Sequence, residues 1–167
     1  MIKIAHRGNF AGKNAERENT MDYLRIAMRA GYDVEVDVWA DQIGSFWLGH
    51  DGPVERVDLE FLCDEQVWTH AKNIEALRAL WPHPRTNVFW HNKDEFTFTS
   101  KGIKWANFRV PTFDGIMVMP EMHRETMLNI IERRYRPYGI CCDDFKEFNE
   151  AGFCYRLIFS LANSLYL

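Results

Sequence analysis

The sequence predicts an α/β fold built around a parallel sheet. Two observations predict it. Short β-branched and aromatic runs alternate with amphipathic stretches of helical period, and no low-complexity linker or fixed-period repeat interrupts the alternation. The 167 residues are therefore expected to fold as one domain, 1–167.

Residues 2–5 read as the first strand, and the polar, glycine-containing stretch 8–18 as a loop able to carry functional groups. A helix follows. Asn19 or Thr20 suits its N-cap, Met21, Leu24, Ala27 and Met28 share one face, and Gly31 supplies the stop. Residues 33–39 form the second strand, with a short extension at 46–49 after a turn at Gly44. The third strand is 67–71, after which Asn73 caps a helix carrying Ile74, Leu77 and Trp81 and ended by Pro82 and Pro84. Later strands are placed at 87–90, 103–106, 116–119 and 139–142, with a helix over 124–134 and a last apolar element over 157–167. That strand count approaches a (β/α)8 TIM-type barrel, which typically takes about 250 residues. The expectation is a compact, reduced barrel in which short loops replace several outer helices.

Lys and Arg number 20 against 24 Asp and Glu, for a net charge of −4. With basic residues scattered, no strong grip on nucleic acid or anionic membrane is expected, and a small-molecule substrate is the better partner. The opening Met1-Ile2-Lys3-Ile4-Ala5-His6 lacks the apolar stretch of a signal peptide, and no run approaches about 20 apolar residues, so no membrane span and a cytoplasmic location are expected. Cys63, Cys141, Cys142 and Cys154 lack paired C-x-x-C spacing and read as reduced core thiols. Most of the tryptophans lie in or beside the expected strands, where core packing accounts for them.

The chemistry-bearing stretch is Val34-Glu35-Val36-Asp37-Val38, whose alternation puts the valines on one face and both carboxylates on the other. Paired carboxylates repel unless water, a proton or a cation separates their charge, so on an inner face they suit a divalent cation; on an edge strand they would simply face solvent. His6 and His50 each end a strand, where a parallel sheet presents functional groups. Two such imidazoles can divide general acid and general base duties, and Arg7 can grip a phosphate in bidentate fashion.

The order His6-Arg7-Gly8, Glu18-Asn19-Thr20 opening a helix, Glu35-Val36-Asp37-Val38 and His50-Asp51 resembles the glycerophosphodiester phosphodiesterase family over about the first fifty residues. The resemblance implies a phospholipase-C-like TIM-barrel phosphodiesterase that uses a divalent cation, Mg²⁺, Ca²⁺ or Mn²⁺, on a glycerophosphodiester-like substrate. It makes His6 and His50 the catalytic acid and base, makes Glu35 and Asp37 metal ligands, gives the phosphate to Arg7, and has Glu18 and Asn19 organise the substrate site. It further implies attack by the substrate's own neighbouring hydroxyl, giving a cyclic phosphate that water opens.

The chain departs from the family pattern where a third acidic ligand is usual in a Glu-x-Lys arrangement. Here the stretch reads Thr69-His70-Ala71-Lys72-Asn73, so His70 is expected to complete the metal site and Lys72 to meet the phosphate. Imidazole suits Mn²⁺ or Zn²⁺ better than Mg²⁺ or Ca²⁺. Glu121 and Asp143-Asp144 follow strands and are further carboxylates able to approach the metal or a substrate hydroxyl, and His91 is placed to line the pocket. The second reading is a binding module that holds a glycerophosphate or sugar-phosphate without cleaving it, because the third acid is gone.

Overall fold

Strict alternation in the central segment decides which side of the sheet is apolar and which is chemical. The computed structural model describes residues 1–150 apart from Phe108, Pro111 and Phe113; the element expected over 157–167, and Cys154, lie outside the described residues. Its strands are β1 Ile2–His6, β2 Asp33–Ala40, β3 Phe46–Leu48, β4 Glu55–Val57, β5 Val67–Ala71, β6 Val88–Phe89, β7 Phe96–Phe98, β8 Lys104–Asn107, β9 Gly115–Val118 and β10 Gly139–Cys142. The helices are α1 Met21–Arg29, α2 Leu59–Leu62, α3 Ile74–Leu80 and α4 Arg124–Ile131, with a 3₁₀ turn at Pro120–Met122.

The strands form one mixed ten-stranded sheet. β6, β5, β2, β1, β10, β9 and β8 lie side by side and parallel, while β3 pairs antiparallel with β2, β4 with β3, and β7 with β8. This corrects the expected (β/α)8 TIM-type, phospholipase-C-like barrel: only four short α-helices and one 3₁₀ turn accompany ten strands among the described residues, without the regular alternation of strand and helix. The reason lies in the connections between strands. A βα unit with its return strand takes about 30 residues or more. Here, hairpin strands occupy two of the connections: β3 and β4 between β2 and β5, and β7 between β6 and β8.

Val34, Val36 and Val38 point to the face covered by α1, α2 and α3, where they pack with Leu24, Ala27, Leu62, Ala76 and Leu80. The opposite face carries Ile4, Trp68, Phe89, Trp105, Ile116 and Cys141 in a second cluster. Phe89 of β6 stacks on Trp105 of β8 with centroids 4.4 Å apart, and Trp68 lies 5.8 Å from Trp105, so the sheet curls until widely separated strands touch. The Ser100 N–H, just past β7, donates to the Val88 carbonyl at 2.7 Å and ties the two sides together. The aromatic pairs add about 0.5–1.5 kcal/mol each beyond their burial. They form the floor on which the functional side chains stand.

Asn73 joins sheet to helix. Its Oδ1 accepts the Ala76 N–H at 3.1 Å as the α3 cap and the Ala40 N–H at 3.0 Å, while its Nδ2 donates to the Ala40 carbonyl at 2.7 Å. Cys63, Cys141 and Cys142 are free and buried, and burial pushes the thiols of all three above their ordinary range. No helix among the described residues is long and apolar enough to cross a membrane.

Candidate active site

Strand register assembles the site. Parallel pairing sets His6 beside Glu35 across β1 and β2, and Asp37 beside His70 across β2 and β5. Side chains paired in register point to the same face, so two histidines and two carboxylates converge at the C-terminal ends of three neighbouring strands. Glu35 and Asp37 are 2% and 1% exposed. That excludes the solvent-facing edge strand as their setting.

A cleft of about 320 Å³ opens above them, its polar lining drawn from His6, Arg7, Glu35, His50, His70 and Lys72 and the rest from His91, Asn92, Phe89, Trp105 and Val118. His6 Nδ1 lies 2.9 Å from Asp143 Oδ1. His50 Nδ1 lies 3.1 Å from Asp37 Oδ2. A carboxylate only accepts, so in both rings Nδ1 is the donor, which leaves Nε2 of each as the working nitrogen. Burial draws the His6 pKa down, but the hydrogen bond with Asp143 and the charge of Glu35 outweigh it, and the net shift is upward.

Arg7 adopts a left-handed backbone, φ 52°, which aims its own N–H at Glu35 Oε2, 3.2 Å away. Its guanidinium donates to Glu18 Oε2 at 3.2 Å, and its Nη2 lies 3.5 Å from His50 Nε2. Arg7 Nε is 2.9 Å from Asp37 Oδ2, yet its N–H is not aimed at that oxygen, so the pair is ionic without a hydrogen bond. Asn19 is also left-handed, φ 56°; its Nδ2 donates to Asp37 Oδ2 at 3.0 Å and its Oδ1 accepts the Asp37 N–H at 2.9 Å. Such backbone costs about 1–3 kcal/mol and persists where its surroundings fix it. Here, the Asn19 N–H bonded to the Arg7 carbonyl at 3.1 Å ties the two strained residues together.

Gly49 places His50. Its φ of +146° suits glycine, and a Cβ there would meet the Gly52 carbonyl oxygen at 2.0 Å. The Trp39 Nε1–H donates to the Gly49 carbonyl at 2.7 Å and fixes the turn.

One ligand atom each from Glu35, Asp37 and His70 lies within 4.8 Å of the others. His70 Nε2 faces the His91 carbonyl at 3.0 Å, and a carbonyl only accepts, so Nε2 carries the hydrogen. Its Nδ1 lies 2.9 Å from Asp37 Oδ1 and 3.9 Å from Glu35 Oε1, so without a metal a proton on Nδ1 joins the ring to Asp37, and once that proton leaves the same nitrogen offers a lone pair to an ion between the two carboxylates. That is the arrangement in which an outer partner orients a metal-ligating imidazole, and two carboxylates with one imidazole fit a divalent cation. Burial and the Asp37 charge raise the Glu35 pKa. Burial acts on Asp37 in the same sense, but hydrogen bonds with His50 and His70 and the charges of His70 and Arg7 hold it well below the usual range. Lys72 Nζ, 3.4 Å from Asp37 Oδ1, adds another positive neighbour.

Glu18 and Asn19 stand behind the cleft: they hold Arg7 and Asp37 and do not line the cavity. Asp143 reaches His6, not the carboxylate and imidazole cluster. Glu121 accepts the Asp143 N–H at 2.8 Å, and Asp144 Oδ1 accepts the Lys146 N–H at 2.8 Å. Asn9, a residue the sequence did not single out, is fully buried; its Nδ2 donates to both Glu18 Oε1 and Asp143 Oδ1 at 2.9 Å. It links the support of Arg7 to that of His6. Its only sequence signal is a position three residues past His6 in a loop.

Compared with known proteins, the chain matches no family model and no curated protein.

Proposed function

We propose that the protein is a metal-dependent phosphodiesterase that hydrolyses a glycerophosphodiester-like substrate with His6 and His50 as its acid and base. The observation that carries this reading is the convergence of His6, Arg7, Glu35, His50, His70 and Lys72 on one cleft, with each catalytic imidazole held by a carboxylate through Nδ1. The ordered motifs by which the sequence resembles the glycerophosphodiester phosphodiesterase family support the same reading.

A divalent cation held by Glu35, Asp37 and His70 would neutralise the diester and stabilise charge on its nonbridging oxygens. Arg7 and Lys72 carry the remaining positive charge toward the phosphate. One Nε2 takes the proton of the attacking hydroxyl, and the other, protonated, gives one to the leaving alkoxide. Asp143 and Asp37 stabilise the imidazolium that forms on each side. Phe89, Trp105 and Val118 give the cleft an apolar surface for the carbon skeleton of the alcohol.

The test is turnover of bis(p-nitrophenyl) phosphate and of glycerophosphocholine by chelated protein before and after addition of Mn²⁺, Mg²⁺ or Ca²⁺. Wild type is expected to gain activity with metal, and His6→Ala to lose about 10²–10⁴-fold in rate while keeping its fold. No metal-dependent turnover of either diester would overturn the reading. A second reading, a phosphate-binding module, is favoured by one observation: Asp37 is already compensated by Arg7, His50, His70 and Lys72. Binding of glycerol phosphate without turnover would select it.

A further inference from the structure

The donor atoms of the candidate metal centre carry information about which ion it takes. Two donors are carboxylate oxygens, from Glu35 and Asp37, and the third is an imidazole nitrogen of His70. Mg²⁺ and Ca²⁺ are hard ions that take oxygen ligands, and Ca²⁺ gathers about six to eight of them. Imidazole nitrogen suits first-row transition ions.

His70 is built into this position and does not swing out of it cheaply. Its Nε2–H donates to the His91 carbonyl at 3.0 Å, and its ring stacks on Phe89 with centroids 5.1 Å apart and planes 6° apart. Turning the ring over would break the carbonyl bond and present a carbon to Glu35 and Asp37. The Nδ1 lone pair is thus held 2.9 Å from Asp37 Oδ1, a separation at which two electron-rich atoms repel unless a proton or a metal ion joins them.

The surroundings offer few further oxygens. Asp37 Oδ2 is taken by the Asn19 amide, His50 and Arg7. Glu18 is held by Arg7 and Asn9, and Asp143 by His6 and Asn9. A hard cation here would find only the Glu35 and Asp37 carboxylates ready to ligate and would take the rest of its shell from water, whereas a transition ion gains the His70 nitrogen as well.

We infer that Glu35, Asp37 and His70 form a site selective for a first-row divalent transition ion, Mn²⁺, Fe²⁺, Co²⁺ or Zn²⁺, over Mg²⁺ and Ca²⁺, with His70 as the residue that sets the choice. This rests on reading the three side chains as a metal centre, but not on any turnover, so it is tested without substrate.

The experiment measures equilibrium binding of metal alone to the chelated full chain, with free Mn²⁺ followed by electron paramagnetic resonance and Mg²⁺, Ca²⁺ and Zn²⁺ added as competitors. Wild type is expected to hold Mn²⁺ more tightly than Mg²⁺ or Ca²⁺ by on the order of tenfold or more. His70→Glu, which restores an all-oxygen set, is expected to shrink that gap by raising the affinity for Mg²⁺ and Ca²⁺. Pulsed resonance of the wild-type Mn²⁺ complex should show coupling to one imidazole nitrogen, a readout that needs no variant to fold. Equal affinity for Mg²⁺ and Mn²⁺, absence of the nitrogen coupling, or an undiminished gap between Mn²⁺ and Mg²⁺ in folded His70→Glu would each overturn the inference. Selective Mn²⁺ binding by a protein that cleaves no diester would leave this inference standing and remove the phosphodiesterase reading. Turnover supported by Mg²⁺ as well as by Mn²⁺ at matched affinity would do the reverse.

Discussion

His6 owes its chemistry to a partner 137 residues away. Asp143 holds its Nδ1 at 2.9 Å and is itself held by the Asn9 amide. An asparagine at 143 keeps the shape but loses the anionic acceptor that stabilises an imidazolium. Asp143→Asn is expected to lower kcat on a phosphodiester by about 10²–10⁴-fold while leaving Mn²⁺ affinity nearly unchanged, and undiminished kcat would remove Asp143 from its role. The same pair makes a prediction about stability in the metal-free protein. The His6 pKa is raised on folding, so the pair's contribution is fully present below the ordinary histidine value of about 6.5 and is lost as pH rises through the raised one. The excess in Tm of wild type over Asp143→Asn should therefore be larger at mildly acidic than at alkaline pH. His6, His50, Glu35 and Asp37 were legible because strand ends and period-two alternation are local signals. The partnership of His6 with Asp143, the double bond of Asn9 and the His91 carbonyl were not. Each depends on strands brought together by pairing, or on a main-chain group that carries no residue-specific mark.

Among the elements, those with both a period and a stop were legible. α1 begins after Thr20, and Gly31, at φ +89°, lies just past its end; α3 begins at the expected Asn73 cap; β5 and β10 span the expected residues. β4, β7 and α2, of three, three and four residues, were missed because such short pieces show neither period clearly. β7 alternates Phe96-Thr97-Phe98 but exposes both aromatics, so no buried face marks it. The helix expected over 124–134 ends at Ile131, and the left-handed Arg133, φ 59°, shows where the helical path is left. Asn73 supports two elements at once, through the α3 cap and both Ala40 bonds. Asn73→Ala is expected to cost about 1–3 kcal/mol in denaturant unfolding, and a loss within about 0.5 kcal/mol would mean the clamp carries no net stability.

On the scale of the whole molecule, the expected barrel around a parallel sheet gives way to a mixed sheet, in which seven neighbouring strands are parallel and three pair antiparallel. Strand count and the family resemblance had suggested the TIM-type barrel. What replaces it is a curled ten-stranded sheet in which hairpin strands occupy two of the connections between parallel strands. Most of the site comes from the parallel centre: β1, β2 and β5 supply His6, Glu35, Asp37 and His70 in register. The loops leaving β1 and β5 bring Arg7 and Lys72, and the turn after the antiparallel strand β3 brings His50. The most direct test is a crystal structure of the protein with Mn²⁺ and glycerol phosphate. The account predicts the ion on Glu35, Asp37 and His70, with the phosphate between the Nε2 atoms of His6 and His50 and within reach of Arg7 and Lys72. An ion bound elsewhere, or a phosphate that touches neither imidazole at saturating concentration, would contradict it.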